Sequence, residues 1–300
     1  MKFVSICKWL MGIFGVLFCT MAFEEVCASA VESAFNICQK SYQKKEGNFS
    51  SEEVDSCCFL VSQYSKKMSD ADLVDTCNDY YWHHPLRDDS QDRPRLIVLQ
   101  KRYTELRPLD LYERINLAWL LLSTWSDGIK HPERYRDENP LGLEVPPLAL
   151  REDEAVKVLR SGALYNIQDP AYFYEAGLRL YLPAAQYIRD VQYVERKNWT
   201  ESQKVFFDFA EKVLPMAGGF FRGAFENSLG SEVKALRFQS SFYLARTYAF
   251  RAHVESHEEI LKIKAVDWMR IAQREAFKLS DLDQRQKLMT IPEDWLQLEK

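Results

Sequence analysis

Cysteine supplies the first chemistry to consider. The chain has seven cysteines, and Cys38, Cys57, Cys58 and Cys77 are the last four. An even, clustered set in an exported chain is the pattern of two structural disulfides. A vicinal 57–58 link would strain the backbone. That leaves Cys38–Cys57 with Cys58–Cys77, or Cys38–Cys58 with Cys57–Cys77. Each bridge would close a loop of about 20 residues and add about 3 kcal/mol through the unfolded state. A metal or redox centre calls for Cys-x-x-Cys or interleaved His, and neither pattern is present.

A second set is aromatic. Tyr165, Tyr172, Tyr174, Tyr181 and Tyr187 fall close together. Tyr packs its ring while keeping a polar tip in water, so such a run lines interfaces and sugar clefts as well as helical cores. These five are the candidate binding residues. Asp169, Glu175 and Asp190 lie in the same stretch and would be the acids of a glycan hydrolase. His253 and His257 are four apart with Glu255 between them. Ser256 reads as a helix N-cap, however, and would put the two on either side of a turn. His83 and His84 are adjacent and point apart. No metal site and no cofactor is expected. Gly218-Gly219 lacks the Lys of a phosphate loop, and no Gly-x-Ser-x-Gly elbow occurs. Glu32-Ser33-Ala34-Phe35-Asn36 is similar to the stretch around the catalytic acid of lytic transglycosylases, but that family's Gly-Leu-Met-Gln element is absent.

The elements that position these groups begin with a leader. Lys2 and Lys8 precede the apolar run Trp9–Phe23, and Ala28-Ser29-Ala30 supplies small residues for cleavage before Val31. This is the three-part signal-peptide pattern, shorter than the roughly 20 residues of a spanning helix. Residues 1–30 are the expected signal peptide, and no stable membrane insertion is expected after its removal. Residues 31–81 read as three helices (31–45, 51–67 and 70–81) stapled by the cysteines. Residues 82–93 form a polar linker, and 94–300 a helical domain. In that domain Leu111, Ile115, Ala118, Trp119 and Leu122 recur at helical spacing. Pro and Gly crowd 127–150. Asp169-Pro170 opens a Tyr-rich helix expected to end near Pro183, with a short helix after it. Thr200-Glu201-Ser202-Gln203 is a capping box opening a helix expected over 201–214, with Gly218-Gly219 as its stop. Two further helices run to about His253 and Leu279. Two long helices joined by a short turn lie antiparallel. The fold class expected is all-α: stacked antiparallel helical hairpins, solenoid-like or an irregular bundle.

Small residues flank large ones in Ala155, Leu159, Gly162 and in Ala265, Met269, Ala272. The preceding helices carry Leu117-Ala118 and Leu244-Ala245-x-x-Tyr248. Over about 109–279 this resembles the tetratricopeptide family, in which such elements pack helix A on helix B. The resemblance implies a curved surface that binds peptides or proteins and implies no catalytic residues. Leu159, Gly162 and Met269 depart from the family pattern, and its closing Pro is absent.

Composition narrows the function. Of 300 residues 47% are hydrophobic and 28% charged, with net charge -5. These values exclude a disordered chain and a multi-span membrane protein. No basic surplus exists to attract phosphate backbones, so no nucleic-acid partner is expected. The reading is an exported protein, periplasmic or secreted: a non-catalytic protein-binding or scaffold protein of the cell envelope with a protein or peptide partner. The alternative is an envelope glycan-binding protein or hydrolase using the Tyr-rich stretch.

Overall fold

The computed structural model describes residues 51–83, 92–135, 143–165, 168–229, 234–255 and 258–279. All regular structure among them is helical. The helices are α1 (Ser51–Gln63), α2 (Ala71–His83), α3 (Asp92–Leu106), α4 (Leu111–Lys130), α5 (Arg151–Tyr165), α6 (Pro170–Val191), α7 (Glu201–Asn227), α8 (Lys234–Val254) and α9 (Glu258–Ala276). None is long and apolar enough to cross a membrane. The signal-peptide segment, the helix expected over 31–45 and Cys38 lie outside the described residues.

The chain divides into two units. The first holds the described residues up to Leu106, with 143–145. Here α1 and α2 pack on each other and on α3, so α3 groups with the cysteine segment rather than with the helical domain expected to begin at residue 94. Ile97 and Val98 sit mid-helix in α3 and are buried with Leu96 and Leu99, as are Val61 of α1 and Val74 and Tyr81 of α2. A buried polar knot ties α2 to α3. Gln100 accepts from Asn78 Nδ2 at 2.7 Å and from Trp82 Nε1 at 3.2 Å. Arg102 holds the turn before α2 by donating twice to the Met68 carbonyl, at 2.8 and 2.6 Å.

The expected two-bridge staple is corrected here. Neither Cys58 nor Cys77 belongs to a disulfide, and both are buried. Both proposed connectivities need these two sulfurs in bridges. Cys77 lies on the buried face of α2 with Leu73, Val74 and Tyr81. It packs there as a small hydrophobe, whereas a bridge would require the two sulfurs to meet at about 2 Å. Cys57 is half-buried on α1 and, unlike those two, does belong to a disulfide, as expected of it.

The second unit holds the described residues from Arg107 to Tyr135 and from Pro146 onward. Its helices form hairpins, with α4 on α5, α6 on α7 and α8 on α9. The hairpins join through α4 on α6, α6 on α8 and α7 on α8. Two helices outlast their expected stops. Helix α6 runs through Pro183, and α7 runs through Pro215 and both glycines. A mid-helix Pro costs about 3 kcal/mol and a Gly about 1. Burial of Phe206, Phe207, Phe209, Phe220 and Phe221 along α7 opposes those costs. Gly218 faces α8, where a Cβ would make only ordinary contact with Leu244 and Thr247 at 3.6 and 3.4 Å. Gly177 is the close-packing glycine, since a Cβ there would meet the Phe221 ring at 2.7 Å.

The residues carrying the small–large–small pattern are buried. Ala155, Leu159 and Gly162 lie in α5, and Ala265, Met269 and Ala272 in α9. In the last hairpin, Met269, Ala272 and Ala276 pack with Phe238 and Ala245. Trp119 departs from its expected stripe. It is 42% exposed while Leu111, Ile115, Ala118 and Leu122 are buried.

Candidate functional site

Helix α6 positions most of the candidate tyrosines. Asp169 caps it, accepting from the Ala171 and Tyr172 amides at 3.0 and 3.1 Å. Pro170 follows with no N–H to lose, which suits a first helical position. At about 100° per residue, the tyrosines of one helix point to different neighbours.

Tyr172 faces α5. It is fully buried, and its hydroxyl donates to the Leu159 carbonyl at 2.7 Å. Burial drives its phenol far above the ordinary range, with Arg114 opposing. Tyr187 faces the other way. Its ring stacks on Phe206 at 4.2 Å, and its hydroxyl bonds Ser126 Oγ of α4 at 2.7 Å. Burial raises its phenol too, while the Ser126 bond pulls it down. Trp125 completes this patch against Phe206 and Phe209. Tyr165 stands at the end of α5, half-exposed, with the Arg114 guanidinium that also acts on Tyr172 lying 4.5 Å over its ring. Tyr165 and Tyr172 thus share Arg114, while Tyr187 lies in a separate neighbourhood.

Tyr174 and Tyr181, seven residues apart, share one face. Both pack on Phe221 of α7, at 6.1 and 6.0 Å, and on Tyr243 of α8, at 6.0 and 5.3 Å. Phe221 and Tyr243 stack on each other at 5.4 Å. Phe250, two turns beyond Tyr243, lies 5.9 Å from Tyr181. Tyr181 is buried, whereas Tyr174, Tyr243 and Phe250 are half-buried. Around α6 the sides of Tyr181 and Tyr187 are taken by neighbouring helices. An open strip remains, with Leu178 half-buried and Leu182, Gln186 and Arg189 exposed. This strip, bordered by the α6–α8 seam, is the candidate site.

An arginine joins the rings at the seam, the Arg189 guanidinium lying 5.6 Å over Phe250. Arg246 lies 5.6 Å over Phe242, a ring packed on the α8–α9 core. Burial pushes the Tyr181 phenol up strongly, against the pull of Arg246 and Arg189. Burial also raises Tyr174, with Tyr243 and Glu175 adding to it. Arg189, Tyr243, Arg246 and Phe250 are not visible as site residues in the sequence. Only the packing of α6 on α8 brings them to Tyr181.

The candidate acids do not converge. Asp169 is engaged as a cap, Asp190 accepts from Gln186 Nε2 at 2.7 Å, and Glu175 lies beside Tyr174. Asp169 and Asp190 sit at opposite ends of α6, roughly 30 Å apart at 1.5 Å per residue. Glu255 is engaged by Arg251 at 2.5 and 2.9 Å, and His83 lies 3.1 Å from Asp79 on the surface. His84 and His257 lie outside the described residues. Among the described residues no group of three His, Cys, Asp or Glu is placed to hold a metal ion.

Compared with known proteins, the chain matches no family model, no curated protein and no solved structure.

Proposed function

We propose that the chain is an exported, non-catalytic protein- or peptide-binding scaffold of the cell envelope. Its binding face is the open side of α4, α6 and α8. The observation that carries this reading is that α6 packs on both α4 and α8 while keeping an open strip. Leu182 on α6 is 52% exposed, and Tyr112 and Trp119, seven apart on α4, are 55% and 42% exposed. Aromatic and aliphatic anchors on rigid helices are the groups that dominate protein interfaces. The tetratricopeptide resemblance points the same way, towards peptide recognition by stacked hairpins. The five candidate tyrosines mainly support this face from within.

The test is affinity capture from envelope extract with residues 31–300, beside the triple variant Tyr112→Ala, Trp119→Ala, Leu182→Ala. One protein retained by the native face and lost by the folded triple variant supports the reading. Retention on peptidoglycan alone, unchanged by the three substitutions, removes it. Fractionation that finds the chain in the cytoplasm with residues 1–30 attached removes the export half.

A further inference from the structure

Cys57 carries a bond whose other sulfur lies outside the described residues. It belongs to a disulfide, whereas Cys58 and Cys77, the other two cysteines among the described residues, belong to none. Its partner is therefore Cys7, Cys19, Cys27 or Cys38. The leader divides these four. Cys7, Cys19 and Cys27 all precede Ala28-Ser29-Ala30, so the cleavage read before Val31 removes them together. Cys38 is the one that stays with the exported chain.

Placement on α1 and α2 fits one bridge and no second. Residues 57 and 58 lie about 100° apart around their helix. Cys58 is 2% exposed on the buried side with Val61, and Cys77 is 0% exposed on α2 among Leu73, Val74 and Tyr81. Cys57 is half-buried, at the flank of that core. A sulfur at the flank is open to a segment that passes outside the core, whereas the two core sulfurs are reached only by opening it. We infer that Cys38 is the partner of Cys57, and that this single disulfide fastens the start of the exported chain to the flank of α1. The inference rests on the export reading, because loss of the leader is what leaves Cys38 alone. In forming the bond the two thiols give up two protons and two electrons. The electrons pass to a protein disulfide donor outside the reducing cytosol, whose own disulfide becomes two thiols. Cys58 and Cys77 take no part, since thiol–disulfide exchange needs an accessible thiolate.

The full chain is expressed with its leader and recovered by fractionation. Intact mass reads whether residues 1–30 are gone, and peptide mapping without reduction reads the sulfur linkages. A Cys38–Cys57 peptide pair that disappears on reduction is expected. Alkylation of the denatured, unreduced chain should label Cys58 and Cys77 and spare Cys38 and Cys57, and reduction should open all four to the reagent. In Cys38→Ser the Cys57 thiol should become labelled, or should link two copies in a dimer that reduction dissolves. A Cys38–Cys57 pair in a chain that keeps residues 1–30 supports the bridge and removes cleavage. Cys57 labelled in the native sequence, or linked to Cys58 or Cys77, overturns the inference, and the intact mass then decides leader removal separately. Cys57 linked to Cys7, Cys19 or Cys27 in a chain that keeps residues 1–30 overturns both.

Discussion

The hydroxyl of Tyr172 occupies the space that a side chain at Gly162 would need. A Cβ built on Gly162 would lie 2.0 Å from that oxygen, and the same hydroxyl donates to Leu159 of α5 at 2.7 Å. Gly162→Ala must displace a fully buried ring or separate α5 from α6. We expect a loss of about 2–4 kcal/mol in denaturant unfolding. Tyr172→Phe, which removes one buried bond, should cost about 1 kcal/mol. In the double variant the costs should fall short of additive, because the closest clashing atom is gone.

Glu275 on α9 gives the last hairpin a pH dependence. It is 8% exposed and lies 2.8 Å from Lys278 Nζ and 3.3 Å from Arg237 Nε of α8. Burial pushes its carboxyl up. Hydrogen bonds from Lys278 and Arg237, and their charges, outweigh that and lower it from its ordinary 4.5. A lowered folded pKa contributes stability above the unfolded value and loses it as pH falls through the folded one. Glu275→Gln should therefore cost about 1–2 kcal/mol at neutral pH. Its difference from the native chain should shrink below about pH 4.5, as thermal unfolding across a pH series would show.

Capping of α6 and α7 is expected to be local and modest. Asp169 accepts two amides, and Thr200 and Gln203 form a reciprocal box at 3.2 and 2.8 Å. Asp169→Ala and Thr200→Ala should each cost about 1 kcal/mol, while Asp169→Asn should retain most of the cap. Loss of fold from Asp169→Asn in circular dichroism would contradict this assignment.

Cys58 and Cys77 are expected to behave as buried packing groups. Peptide mapping without reduction should yield no Cys58–Cys77 link. A small alkylating reagent should reach Cys77, which is 0% exposed, only as the first unit opens. Rapid labelling in native buffer would contradict the packing described for α2.

The helix class was readable because periodicity is local. Leu111, Ile115, Ala118 and Leu122 recur at the spacing of one helical face, and all four are buried. The cap at Asp169 and the box at Thr200 were readable for the same reason, since each is closed within four residues. Local signals failed where packing overrode them. Pro183, Pro215 and Gly218-Gly219 look like stops, yet α6 and α7 continue through them because neighbouring helices bury the faces on both sides. The cysteine count suggested two bridges; Cys57 is in a disulfide but Cys58 and Cys77 are not, because parity along a chain says nothing about where sulfurs point.

By itself, then, the order of residues determined that this chain makes paired helices, where several of them start, and that its tyrosines crowd onto one of them. It could not determine which tyrosine meets which neighbour. That follows from a rotation of about 100° per residue combined with the placement of four other helices around α6. Tyr172 and Tyr187 were thereby committed to packing, while Tyr181 was set beside Arg246, 65 positions away in the chain. Only tertiary structure decides that meeting, because the contact energy belongs to two helix faces and neither face is marked in its own sequence.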